Sequence, residues 1–245
     1  MWKILPCSVC RRAFTSPARV WGYVFTYMFP RVLAAIIVTI MAVSRLSPAM
    51  AGENTLRILA LGDSLTAGYG LSLRAAFPAQ LEAALRKRGH NVTVINAGVS
   101  GDTSAGGRAR IGWALGATPP PDAAIVALGG NDGLRGIEPA VMRANLEAIL
   151  KALRKAKVPV LIAGMKTPRN FGPDYIKEFE AIFPSLAAQY DALHYPFFLE
   201  GIALNPALNQ ADGLHPNARG VIKMVDGIIP MVERLLTRIE RKGTL

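Results

Sequence analysis

The chain has 245 residues, 51% hydrophobic and 18% charged, with a formal net charge of +11. That length fits one α/β domain with a leader, and the apolar content supplies a sizeable core. The charge does not mark a nucleic-acid binder. Six basic residues and no acidic ones lie in residues 1–51, which leaves +5 for the remainder. Those remaining basic residues are scattered, without the aromatic-interleaved basic stripe that nucleic-acid binding requires. They read as a solvated surface that favours anionic lipid or substrate.

The leader comes first in the chain. "RVLAAIIVTIMAV" has an apolar part of twelve residues, 32–43. A bilayer span needs about 20, so the stretch fits the core of a secretory signal. Ala49-Met50-Ala51 then supplies small residues at both positions of an A-x-A site. Cleavage is expected after Ala51, giving a leader over 1–51 and a mature domain over 52–245, with periplasmic or secreted location. An uncleaved anchor is the alternative. Residues 1–27 precede a signal that is complete from Met28, which points to a start assigned too early. "RRAF" at 11–14 offers a second reading as a twin-arginine signal. Cys7 and Cys10 are the only cysteines, so the mature chain has no disulfide and no thiol chemistry.

From residue 56 strands and helices alternate. "LRILALG" is a short apolar strand, and "LRAAFPAQLEAALRKRG" is a helix with Phe77, Leu81, Ala84 and Leu85 on one face. "NVTVINAG" is a β-branched strand, and "DAAIVALGG" is apolar on both faces, as a central parallel strand should be. "EPAVMRANLEAILKALRKAK" places Met142, Leu146, Ile149, Leu150 and Leu153 at helical spacing. "VPVLIAGM" is a fourth strand. "YIKEFEAIFPSLAAQY" reads as a helix interrupted near Pro184, and "ALHYPFF" as a short fifth strand. "NARGVIKMVDGIIPMVERLLTRIE" is a long last helix, bent near Pro230. The alternation predicts a parallel sheet with helices on both faces. Ligands of such sheets bind outside the carboxyl ends of the strands.

Four polar blocks stand at those ends: Gly62-Asp63-Ser64, "VSGDTS", "GGNDGLRG" and "DGLHPN". Each has an ordinary explanation by itself. Asp63 or Ser64 can cap a helix, and so can Asp102 or Thr103. Asn131-Asp132-Gly133 is a turn signal, with Asp132 a turn former. His90 is expected to face solvent, and His194 to be structural. Together, however, the blocks supply the parts of acyl transfer. Ser64 is a weak nucleophile that needs a base. His215 can be that base, and Asp212 can hold its other ring nitrogen. The backbone N–H groups of Ser64 and Gly101 and the Asn131 amide can receive an oxyanion. At Gly101 no side chain blocks the approach of the substrate oxygen.

"GDSL" at 62–65, the glycine of the second block, "GGND" at 129–132 and "DGLHP" at 212–216 resemble the marks of SGNH hydrolases, also called GDSL esterases. "GDSLTAGYG", "SGDTS", "LGGNDGLRG" and "DGLHPN" are closest to the bacterial periplasmic thioesterase–lysophospholipase–arylesterase branch. The resemblance implies Ser64 as nucleophile, Asp212 and His215 as the rest of a triad, and Gly101 and Asn131 as oxyanion donors. It also implies a flavodoxin-like three-layer αβα sandwich with sheet order 2-1-3-4-5. Neither a metal nor another cofactor is expected.

The expected reaction is hydrolysis of aryl and short-to-medium acyl esters and of acyl thioesters, with lysophospholipid a further candidate. Leu134, Ile137, Met165, Pro168 and Phe171 offer apolar surface for the acyl chain, although Met165 and Phe171 read equally well as core. The partners expected are small esters or thioesters, with no nucleic acid and no membrane span after cleavage. Other classes fit less well. A Walker motif, a G-x-G-x-x-G turn at the first strand and the G-x-S-x-G elbow are absent. Three histidines without paired spacing argue against a metal hydrolase. An SGNH carbohydrate acetylesterase is the nearest enzymatic alternative, and a non-catalytic acyl- or glycan-binding module the alternative from another class.

Overall fold

The computed structural model describes residues 55–243. The expected leader, its cleavage site and Cys7 and Cys10 lie outside the described residues. Strands β1 (Leu56–Gly62), β2 (Val92–Gly98), β3 (Ala123–Ala127), β4 (Val160–Ala163) and β5 (Leu193–Tyr195) form one sheet in the order β2-β1-β3-β4-β5. Every neighbouring pair is parallel. This is the expected sandwich topology. β1 lies between β2 and β3, so the chain leaves its end at the point where the strand order reverses. A crevice opens there in doubly wound sheets. β3 is buried along its whole length, as the continuous apolar run required.

Seven α-helices accompany the sheet among the described residues. They are α1 (Ser64–Ala67), α2 (Phe77–Lys87), α3 (Ser104–Leu115), α4 (Gly130–Leu134), α5 (Pro139–Lys155), α6 (Pro173–Tyr190) and α7 (Ala218–Gly243). α2 and α7 pack together on one face, and α3, α5 and α6 pack in series on the other. The expected apolar stripes make these contacts. Phe77, Leu81 and Leu85 of α2 are buried, as are Met142, Leu146, Ile149, Leu150 and Leu153 of α5. Among the described residues no helix is long and apolar enough to cross a membrane.

Two local expectations change. α6 runs unbroken through Pro184. Pro184 is exposed, and on a helix's solvent-facing side a carbonyl that loses its amide partner can be hydrated. α7 likewise continues through an exposed Pro230. α3 is the helix that a cap at Asp102 or Thr103 allowed for, although Gly106 and Gly107 lie within it and no apolar stripe runs along it. Gly107 in fact serves packing: a Cβ there would strike the Leu128 side chain.

Candidate active site

β1 delivers Asp63 and Ser64 to the carboxyl edge of the sheet. Asp63 is the N-cap of α1 and accepts the Leu65 N–H at 3.0 Å. The capping reading is therefore correct for Asp63, and Ser64 becomes the first residue of the helix. α1 lies very close to the strand ends. A Cβ at Gly62 would strike the Thr66 side chain, and one at Gly98 the backbone of Ala67. Glycine at both strand ends is what lets the serine-bearing turn sit there.

His215 reaches Ser64 from the opposite end of the chain. Its Nε2 lies 2.9 Å from Ser64 Oγ, and its Nδ1 lies 2.7 Å from Asp212 Oδ2. The other Asp212 oxygen accepts the N–H groups of Leu214 at 2.9 Å and His215 at 3.0 Å. These bonds, the His215 backbone first, hold the Asp212 carboxyl down to about 2. Asp212 is thus an ionised, oriented acceptor at neutral pH. The segment is fastened from behind: Gln210 N–H donates to the His215 carbonyl at 2.8 Å. The Gln210 side chain donates to the carbonyls of Tyr69 at 2.8 Å and Pro216 at 3.0 Å. The Tyr69 ring lies 4.6 Å from the imidazole, centroid to centroid.

Gly101 has φ +81°, a left-handed conformation that glycine adopts without strain. Asn131 Nδ2 donates to the Asp102 carbonyl at 2.9 Å and lies 3.4 Å from Asp63 Oδ2. Ser64, Asp102 and Asn131, from three separate strand ends, therefore belong to one cluster. Asp63 is 2% exposed, and burial raises its carboxyl from 3.8 to about 6. Among the described residues no group of three or more His, Cys, Asp or Glu side chains is placed to hold a metal ion.

The arrangement can perform acyl transfer: a hydroxyl on a hydrogen-bonded imidazole, a carboxylate behind the ring, and an amide beside them. The model of the GDSL-like lipase/acylhydrolase family matches residues 60–221, a span that holds every one of these groups. The chain belongs to this family. It is similar to esterase TesA of Pseudomonas aeruginosa, 42% identical over 159 residues, which cover 65% of this chain and 79% of that protein. It is equally similar to thioesterase 1/protease 1/lysophospholipase L1 of Escherichia coli K12, 42% identical over 160 residues, 65% of this chain and 75% of that one. Among solved structures it resembles AlinE4, an SGNH-hydrolase family esterase, at 51% identity and TM-score 0.63, covering 74% of this chain and 97% of that one. It is therefore an SGNH hydrolase acting on ester bonds.

In this esterase the anticipated apolar residues divide. Leu134 is 50% exposed beside the cluster and Phe171 is 36% exposed. Phe171 packs on Gly136, so the two flanking segments meet. Ile137 and Pro168 are half-buried, and Tyr175 Oη donates to the Ile137 carbonyl at 2.7 Å. Met165 belongs to the core. Its methyl end packs against Gly130.

Two expectations are corrected. Asp132 is not a turn former. It is fully buried, and its carboxylate accepts Ser104 N–H at 2.7 Å and Ser104 Oγ–H at 2.5 Å. It thereby caps α3, a task that neither Asp102 nor Thr103 performs: Thr103 makes no side-chain cap bond, and the Asp102 carboxylate binds Arg110. His90 does not simply face solvent; its Nε2 lies 3.4 Å from Glu233 Oε1 of α7. Sequence reasoning also missed Tyr69, Arg110 and Arg135 around the GDSL site. Arg110 could have been found only by recognising α3, which carries it back to the strand ends.

Proposed function

We propose that this esterase is an exported serine hydrolase of carboxylic esters and acyl thioesters that acts through Ser64, His215 and Asp212. The observation that carries the reading is the unbroken chain Ser64 Oγ–His215 Nε2 at 2.9 Å and His215 Nδ1–Asp212 Oδ2 at 2.7 Å. His215 takes the Ser64 proton at Nε2 while Oγ bonds to the acyl carbon and the carbonyl oxygen becomes negative. Asp212 keeps the proton on Nδ1 and steadies the imidazolium. The oxyanion is received by the Ser64 N–H, the Gly101 N–H and the Asn131 amide. The Ser64 N–H opens a helix, where amides have no intrahelical partner. His215 then returns its proton to the leaving alcohol or thiol as the carbon–oxygen or carbon–sulfur bond breaks. Water repeats the sequence on the acyl-enzyme and releases the acid.

Aryl and short-to-medium acyl esters are the substrates this reading favours, with lysophospholipids and acyl-CoAs beyond them. The exposed Leu134 and Phe171 supply apolar surface, and the relatives are named esterase, thioesterase and lysophospholipase. Export rests on the apolar stretch 32–43 and Ala49-Met50-Ala51. A fluorophosphonate probe should label Ser64, and Ser64→Ala should lose both label and nitrophenyl ester turnover with the fold intact. Full activity in folded Ser64→Ala overturns the reading. Turnover confined to acetylated sugars would indicate a carbohydrate acetylesterase instead. N-terminal sequencing of the exported protein should begin at Gly52.

A further inference from the structure

Arg110 projects from α3 beneath the site, and its guanidinium joins three segments. Nε donates to Asp102 Oδ2 at 2.7 Å, Nη1 to the Ala97 carbonyl at 2.6 Å and Nη2 to the Gly62 carbonyl at 2.8 Å. Each acceptor has a defined place. The Gly62 carbonyl ends β1, in the peptide that leads into Asp63 and Ser64. Ala97 stands at the matching end of β2, opposite Leu61 in the ladder. Asp102 follows Gly101, and its carbonyl takes the Asn131 amide at 2.9 Å.

We propose that Arg110 is a positioning residue for hydrolysis: it holds the turn that carries Ser64 and the loop that carries Gly101 at one separation, and so sets where the oxyanion donors stand relative to the nucleophile. This rests on the reading of Ser64, Gly101 and Asn131 given above. The loop needs such a tie. Gly101 is exposed and left-handed, and a glycine has more conformational freedom to lose than any other residue. Three bonds besides those of Arg110 restrain its neighbourhood: the Gly101 carbonyl accepts Arg135 Nη2 at 2.9 Å, Asp102 N–H donates to the Val99 carbonyl at 3.0 Å, and the Asp102 carbonyl accepts the Asn131 amide at 2.9 Å. The loop also meets the end of β1 and the nucleophile turn through Val99 N–H, which donates to the Gly62 carbonyl at 3.1 Å, and through the Asn131 amide between the Asp102 carbonyl and Asp63 Oδ2. The Arg110 guanidinium adds to these a single planar group that holds the Asp102 carboxylate and the ends of β1 and β2 together. Guanidinium is planar with a fixed fork of donors and stays protonated, whereas an ammonium is a point charge that cannot span three acceptors in one plane. The Arg110 and Asp102 side chains are 22% and 18% exposed, which limits competition from water.

Arg110→Lys tests this. Active sites are counted by fluorophosphonate titration, and kcat and KM are measured on a nitrophenyl ester well below the melting temperature. A positioning role predicts a fall in kcat per titrated site of about 10- to 100-fold, the range expected when a reacting group is misplaced by about 1 Å, with KM changed less than about threefold. The same substitution in an Asn131→Ala background should cost a clearly smaller factor, because part of what Arg110 positions is already gone. Unchanged kcat per titrated site, with only a lower melting temperature, overturns the proposal. Equal losses in both backgrounds also overturn it. If Arg110→Lys does not fold, Asp102→Ala carries the test by cutting the loop end of the link while leaving Arg110 its two carbonyls; a folded Asp102→Ala with normal kcat overturns the proposal. Ser64→Ala, assayed alongside, separates this from failure of the serine reading, since activity there would remove the nucleophile and not merely its positioning.

Discussion

Asp132 and Ser104 stand on different segments, 28 residues apart, and are joined by two hydrogen bonds to one buried carboxylate. Asn145 closes the group by donating to Ser104 Oγ at 3.1 Å. Asp132 thus seats the start of α3, and with it the loop of Gly101 and Asp102, directly beside its neighbour Asn131. Asp132→Ala should destabilise the fold by about 2–4 kcal/mol, because a buried helix N–H and a hydroxyl lose a charged acceptor. Its kcat in the folded fraction should fall less than that of Asn131→Ala. Denaturant melts with active-site titration check both statements.

Asn131→Ala tests the oxyanion assignment. A donor that strengthens only in the transition state raises kcat and leaves KM nearly alone. Its loss should lower kcat by about 10²- to 10³-fold. The bond to the Asp102 carbonyl goes as well, which should lower stability by about 1 kcal/mol. Loss of stability with normal kcat would remove Asn131 from the oxyanion hole.

Asp212→Asn should lower kcat by about 10⁴-fold, the size of effect seen when the carboxylate behind a catalytic histidine becomes an amide that favours the wrong tautomer. Melting temperature should change little, since Asp212 lies at the surface. With its carboxyl held to about 2, Asp212 contributes stability above its unfolded value of 3.8, and that contribution is lost progressively as pH falls from about 4 through about 2. A kcat within threefold of the parent would dismiss the ionised-acceptor role.

Asp63 carries the opposite sign. Burial raises its carboxyl from 3.8 to about 6, so the native state binds the proton more tightly than the unfolded chain does. Stability from this group is greatest below about pH 4 and declines as pH rises to about 6. The decline is of order 3 kcal/mol for a shift of about two units. Of the neighbouring titratable groups, His215 lowers it and Asp102 raises it. Measured at pH 4 and again at pH 7, Asp63→Asn should gain on the parent as pH rises. A pH-independent difference between the two would mean that Asp63 titrates normally.

Much of this molecule was legible from short-range pattern. The apolar runs of β1, β3 and β4, the stripes of α2 and α5, and the four polar blocks follow from which residues repeat at periods of 2 and 3.6 and which interrupt them. Such signals are local, so one segment suffices to carry them. The resemblance of the blocks to the SGNH marks added the sheet order, which periodicity does not contain. What required the tertiary structure was every bond between segments distant in sequence. Asp132 reads as a turn residue because its partner, Ser104, lies 28 residues away and meets it only when α3 and α4 pack at the strand ends. Arg110 looked like one more surface cation because its three acceptors are two backbone carbonyls and a carboxylate that meet only when β1, β2 and α3 pack. Backbone carbonyls leave no trace in residue identity, so a guanidinium that binds them is invisible until the chain is folded.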